Sequence, residues 1–329
     1  MKLAQEAAFE LLQADARFLY ALVDIQRNAK NIESNYIGMS MPYIGIFTDG
    51  AEQWYKKIKV EAPSFSPTEK EYYTQLRLGH KLFNLSYEDY YDLQFNKLRE
   101  SDKYFFSIRS LLEKIIGYNN VGTDVFQGEF CGNTILCSIY TPIVTLGNEQ
   151  CGEYIRNMSV IAGKLAVSFG CINHPTFNYD DKQEVEYKDY HFYNNSPLKM
   201  NNDVGFILFS ILCSVNFAIV FIDNYFLDEI PQKLKFAYLQ YYYLCDFIDD
   251  LNMHNGTCFY LSKSLYNRDF RNCLAHYGLG QYLNDSEIIP YDHLKGLTFK
   301  AFGKDYYETK EVLYTMLKNL STQIKKEIF

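Results

Sequence analysis

Apolar residues recur at helical spacing along most of the chain. Phe9, Leu12, Phe18, Leu19, Leu22 and Ile25 share one face of a segment from about Leu3 to Ile32, which predicts a long first helix. A polar stretch bearing Gly and Pro follows. Helical patterning resumes from Pro67 to Phe83, where Ser66-Pro67-Thr68-Glu69 reads as a cap with proline at the first helical position. A further helix starts at Ser86, with Glu88 and Asp89 in its first turn, and runs toward Ile116. Short apolar runs broken by Gly, Thr and Asn from Gly117 to Asn148 fix no element, and Glu149 to Phe169 reads as helix again. From Cys171 to Asn202 the chain turns polar and irregular. That change divides it into a helical N-terminal region, 1–200, and a helical bundle, 201–329.

The second part opens with Val204 to Ile222, nineteen residues without a charge. Length alone would let them span a membrane. Ser210, Ser214 and Asn216 lie inside the run, Asp203 and Asp223 bracket it, and no flanking Lys/Arg cluster sets an orientation. A buried central helix of an α-bundle is therefore expected, and no membrane partner. Pro231 to Leu251 predicts an aromatic-rich amphipathic helix, followed by a loop at His254-Asn255-Gly256-Thr257, a helix from about Ser262 and a last helix from about Lys304 to Ile328. The fold class predicted is all-α.

The helix from Ser262 carries the most informative residues. At about 100° per residue, Tyr266, Phe270, Cys273, Leu274 and Tyr277 gather on a core-facing stripe. Arg268, Arg271, Asn272 and His276 fall opposite, around the small side chain of Ala275, and Asn272 and His276 are i,i+4 neighbours able to touch. With eight arginines and six histidines in 329 residues, an Arg followed five positions later by His arises by chance about 0.15 times. Polar residues opposite an apolar stripe also describe an ordinary solvated face.

The order Arg271-Asn272, three residues, His276 resembles the Arg-x4-6-His motif of the HEPN superfamily, small α-helical proteins many of which are metal-independent ribonucleases of toxin, abortive-infection and CRISPR systems. The likeness covers the motif and, more loosely, the helical segment from Asp203 to Phe329. It implies a HEPN-like bundle whose catalytic residues are Arg271, Asn272 and His276, cleaving RNA without metal or other cofactor. The products would be a 2′,3′-cyclic phosphate and a 5′-hydroxyl. It also implies a homodimer in which two motifs meet, and an antitoxin or other regulatory partner. Some relatives are non-catalytic interaction modules, which keeps that alternative open.

The chemistry suits the residue types. Transesterification needs a base for the 2′-hydroxyl, an acid for the departing 5′-oxygen and positive charge at the phosphorane. Histidine exists in both forms near neutral pH, arginine offers a permanent forked donor, and an amide one turn away can orient the ring. Arg268 and Lys263 extend the positive face as substrate-binding candidates; Asp249 and Asp250 read first as ordinary solvated helix-end residues, with steadying a guanidinium as the alternative. His254 and His293 are further imidazoles in loops or near helix ends.

A net charge of −8 argues against a general nucleic-acid field, so any RNA contact must come from a local cluster. Thirty tyrosines and twenty-five phenylalanines against one tryptophan predict helices packed through rings. The beginning of the chain lacks the pattern of a secretion signal, and the eight cysteines form no C-x-x-C pair; a cytoplasmic protein is expected. Cys171 and His174 make one half of a possible zinc site, with Cys131, Cys137, Cys151 and His191 as further candidates. The N-terminal region has no phosphate loop and no hydrolase or metalloprotease motif.

Overall fold

A computed structural model describes residues 2–29, 35–106, 109–116, 120–141, 157, 160–161, 163–170, 176–191 and 196–329. Helix α1 (Leu3–Asn28) buries Leu12, Phe18, Leu19, Leu22 and Ile25, as its spacing predicts, while Phe9 is only half-buried against the core and Leu11 is buried in addition. The polar stretch expected next is instead a second long helix, α2 (Tyr36–Ile58), with Pro42 inside it. Its glycines mark close approach rather than a loop. A Cβ on Gly45 would stand 2.2 Å from the backbone nitrogen of Arg77, and one on Gly50 2.1 Å from the ring of Tyr277.

Helix α3 (Pro67–Leu78) starts at the expected cap, Ser66 accepting from the Glu69 amide at 3.2 Å. A 3₁₀ segment, Gly79–Asn84, leads to α4 (Tyr87–Phe106), and α5 (Leu111–Ile116) follows. The region without a sequence assignment then folds into strands β1 (Asn120–Phe126) and β2 (Glu129–Asn133) and helix α6 (Thr134–Tyr140). Gln127 and Gly128, at φ 53° and 80°, make the left-handed pair that a tight hairpin requires. Strand β3 (Val185–His191) adds on the other side of β1, giving an antiparallel sheet of order β2-β1-β3. The protein is thus mostly helical, consistent with the largely all-α class expected, with one small three-stranded sheet that the sequence pattern does not predict. β1 and β2 together occupy only 120–133, too short a run for their alternation to stand out beside Gly122, Gly128 and Gly132.

Helix α7 (Asp203–Asn216) continues through a π-helical turn, Phe217–Phe221, to Tyr225. It is the uncharged segment, and 94% of its most apolar window is buried inside the fold. Two of its buried polar side chains find partners there: Ser214 pairs with Tyr140 at 3.1 Å, and Asn216 accepts from Ser321 at 3.0 Å. Next come α8 (Pro231–Asn255), α9 (Arg268–His276), the short α10 (Leu279–Tyr282) and α11 (Leu297–Phe302), and the closing α12 (Tyr306–Ile328).

The change near residue 200 does not divide the core. Phe18 of α1 meets Phe236 of α8 edge-on at 5.2 Å, Tyr43 of α2 stacks on the same ring at 3.5 Å, and Phe83 lies 5.4 Å from Phe247. One continuous apolar cluster takes side chains from both segments. The candidate site is built where they meet.

Candidate functional site

Helix α9 begins at Arg268, six residues later than its apolar spacing suggests, because Asn267 caps it by accepting from the Phe270 amide at 3.0 Å. The residues before it stay outside the helix because tyrosines of α8 serve their backbone. Tyr241 donates to the Ser262 carbonyl at 2.6 Å, and Tyr238 donates to the Leu265 carbonyl at 2.8 Å and accepts from the Asn267 amide at 3.1 Å. Tyr266 is therefore no member of the helical stripe. At the other end Tyr277 turns into the left-handed region at φ 53°, and its hydroxyl enters a buried cluster with Asp15 of α1 and Lys235 of α8. Lys235 donates to both partners at 2.6 Å.

Helix α2 covers part of the face expected to be open. Ala275 is completely buried and forms no floor between Arg271 and His276. The predicted contact between Asn272 and His276 is replaced by a longer-range one. Arg77, from α3, donates through Nη2 to Nδ1 of His276 at 2.8 Å and through Nη1 to Asp49 of α2 at 2.9 Å. Burial, then the neighbouring Arg77 guanidinium, lowers the pKa of His276 below the ordinary histidine value; Asp49 opposes this, and Arg271 and Lys81 add to it. Positive charge from Arg77, Arg271 and Lys81, drawn from both segments, thus bears on His276. His276, Arg77 and Asp49 open onto a cleft of about 690 Å³ whose rim carries Lys2, Lys56 and Lys57.

Arg271 faces elsewhere. Its guanidinium lies over the rings of Tyr242 and Tyr243, 4.9 and 5.5 Å from their centroids, in a second cleft of about 630 Å³ that Arg268 also lines. Asn272 is half-buried, lines neither cleft and makes no side-chain hydrogen bond among the described residues. Lys263 lies in the loop before α9, with its ammonium held by Asp246 at 2.7 Å and Asp249 at 2.9 Å, so its charge is spent locally. Asp249 and Asp250 do not steady an arginine; Asp250 accepts from the Tyr87 amide at 2.6 Å.

The spare imidazoles are also placed. His254 stacks on Tyr87 at 5.3 Å and pairs with Asp250, and His293 bonds the Tyr307 hydroxyl at 3.1 Å; neither lines the His276 cleft. Among the described residues, the histidine close enough to feel His276 is His80, which is buried with Nδ1 on the Arg77 carbonyl and has its pKa pushed down to about 3, chiefly by that burial. Cys171 and His174 lie outside the described residues.

Sequence reasoning missed Arg77, Asp49, Lys81 and His80 because nothing near them in sequence points to α9. The available signal was Gly45 and Gly50, small residues where α2 meets α3 and Tyr277. In comparisons with known proteins, no family model, curated protein or solved structure matches the chain.

Proposed function

We propose that the His276 cleft binds the phosphate backbone of RNA and cleaves it without a metal, with His276 transferring a proton and Arg77 holding the scissile phosphate. The observation that carries this reading is the Arg77–His276 contact at the edge of a cleft rimmed by three lysines. An acidic protein needs such a local cluster to meet a polyanion. When a phosphate oxygen takes the arginine, Nδ1 of His276 regains its lone pair and accepts the 2′-hydroxyl proton. The 2′-oxygen then bonds to phosphorus, the bond to the 5′-oxygen breaks, and that oxygen leaves with a proton supplied by a second acid. One imidazole serves one of these transfers. A second copy of the chain, as the HEPN resemblance implies, supplies the other, and the toxin or defence role and a restraining partner rest on the same resemblance.

Arg271 acts in this scheme through its charge on His276 rather than by touching the substrate, since its side chain faces the second cleft. The test is incubation of purified protein with total RNA in EDTA and mapping of the new ends. Cyclic phosphates and 5′-hydroxyls are expected; intact RNA contradicts the proposal.

One observation favours a second reading, a non-catalytic helical interaction module. Asp49, Arg77 and His276 satisfy one another completely enough to act as a staple between α2, α3 and α9. In that case His276→Ala lowers stability and RNA remains uncut by the wild type.

A further inference from the structure

The second cleft has features that the His276 chemistry does not use. Arg271 is half-buried, has no carboxylate partner among the described residues, and its Nε is buried without a hydrogen bond. Tyr243, only 5% exposed, lines the same cleft with its hydroxyl also unpartnered. Leaving a buried donor unmade is costly, and both of these donors belong to residues that line the one cleft. Arg268 stands exposed at the same cleft, again without an ion pair among the described residues.

The carboxylates present are already engaged. Asp246 binds Lys263 and the Tyr266 hydroxyl, and Asp250 binds the Tyr87 amide and His254. Arg268 and Arg271 are the charged side chains lining the cleft that lack an ion-pair partner among the described residues, which suits an anion. The aromatic side narrows the class. Tyr242 stacks on Tyr266 at 4.4 Å and 14° between planes, and Arg271 lies over Tyr242, so guanidinium and rings form a preassembled stack. Tyr266 is 38% exposed at the cleft and offers that stack a further planar surface. Aromatic faces and arginine planes are what bases stack on, and the arginine fork matches phosphate. The volume lies within the range of about 300–1,000 Å³ usual for small-molecule sites.

We infer that the cleft between α8 and the start of α9 is a binding site for a nucleoside monophosphate, with the phosphate on Arg268 and Arg271 and the base against Tyr266. This goes beyond the RNA-cleavage reading and stands without it, because the two clefts take different residues of α9.

The test is isothermal titration calorimetry of the full chain with AMP, ribose 5-phosphate and inorganic phosphate. AMP is expected to bind, with ribose 5-phosphate about tenfold weaker or worse, since it lacks the base. Arg271→Gln and, separately, the exposed Arg268→Gln each weaken AMP by about tenfold, while His276→Ala stays within about twofold. Unchanged melting temperatures show that the variants fold. Absence of AMP binding at millimolar concentration overturns the site, as does equal binding of inorganic phosphate or wild-type affinity in both arginine variants. An RNA oligonucleotide that binds through Arg271 where AMP does not would replace it with an RNA groove. Loss of AMP binding in His276→Ala would move the ligand to the first cleft.

Discussion

Nη2 of Arg77 lies 2.8 Å from Nδ1 of His276, two residues 199 positions apart. Arginine has no lone pair to offer, so the imidazole must accept through Nδ1 and carry its proton on Nε2. The shorter contact, against 3.4 Å to Nε2, therefore favours the neutral ring with its proton on Nε2.

Because burial and then Arg77 lower its pKa, His276 is expected to titrate below the usual 6.5. Nitrogen NMR of the histidine side chains should show the Nε2–H form near neutral pH, and Arg77→Ala should move the midpoint upward. An unchanged midpoint would mean that the contact does not govern the ring.

His80 links acid to stability more strongly. Its folded pKa of about 3 lies below the ordinary value, so between 6.5 and about 3 the unfolded chain takes a proton that the folded one refuses. This contribution is intact above 6.5 and falls away as pH drops, by up to about 1.4 kcal/mol per pH unit. Urea denaturation near pH 7 and pH 5 should show about 2 kcal/mol less acid loss in His80→Asn than in the wild type. Identical pH dependence in the two proteins rules this assignment out.

The buried Asp15–Lys235–Tyr277 cluster ties α1 and α8 to the end of α9. Lys235→Met strands the Asp15 carboxylate and should cost about 3–5 kcal/mol, whereas Asp15→Leu with Lys235→Met should recover much of that loss. Denaturant midpoints of the three proteins decide it. A single variant as stable as the wild type would show that the cluster carries no charge pair.

Gly50 tests how α2 sets the site. A methyl group there would meet Tyr277 at 2.1 Å, so Gly50→Ala must displace the residue that follows His276. A stability loss of about 1–3 kcal/mol is expected, together with weaker cleavage. Wild-type melting and cleavage would mean that the ring has room to move aside.

Much of the helical framework was legible where capping and spacing agree. Ser66 and Glu69 mark the start of α3, Pro231 that of α8, and the apolar face of α1 follows its predicted members. Helix α2 was not legible because Gly38, Pro42, Gly45 and Gly50 have the local signature of a loop, and only their distant neighbours explain them. His276 stood out by its place on an amphipathic helix, but its partner could not. Arg271 and His276 look like a pair in sequence, yet five positions of helix turn them about 140° apart. Packing against α2 and α8 then sends them into different clefts.

That separation supplies the most direct test: single-turnover cleavage of a defined oligoribonucleotide in EDTA by wild-type, Arg77→Ala, Arg271→Ala and His276→Ala proteins. The account predicts losses of about a hundredfold or more for Arg77→Ala and His276→Ala, against less than about tenfold for Arg271→Ala. An inactive Arg271→Ala beside a fully active Arg77→Ala would contradict it and return the chemistry to the linear motif of α9.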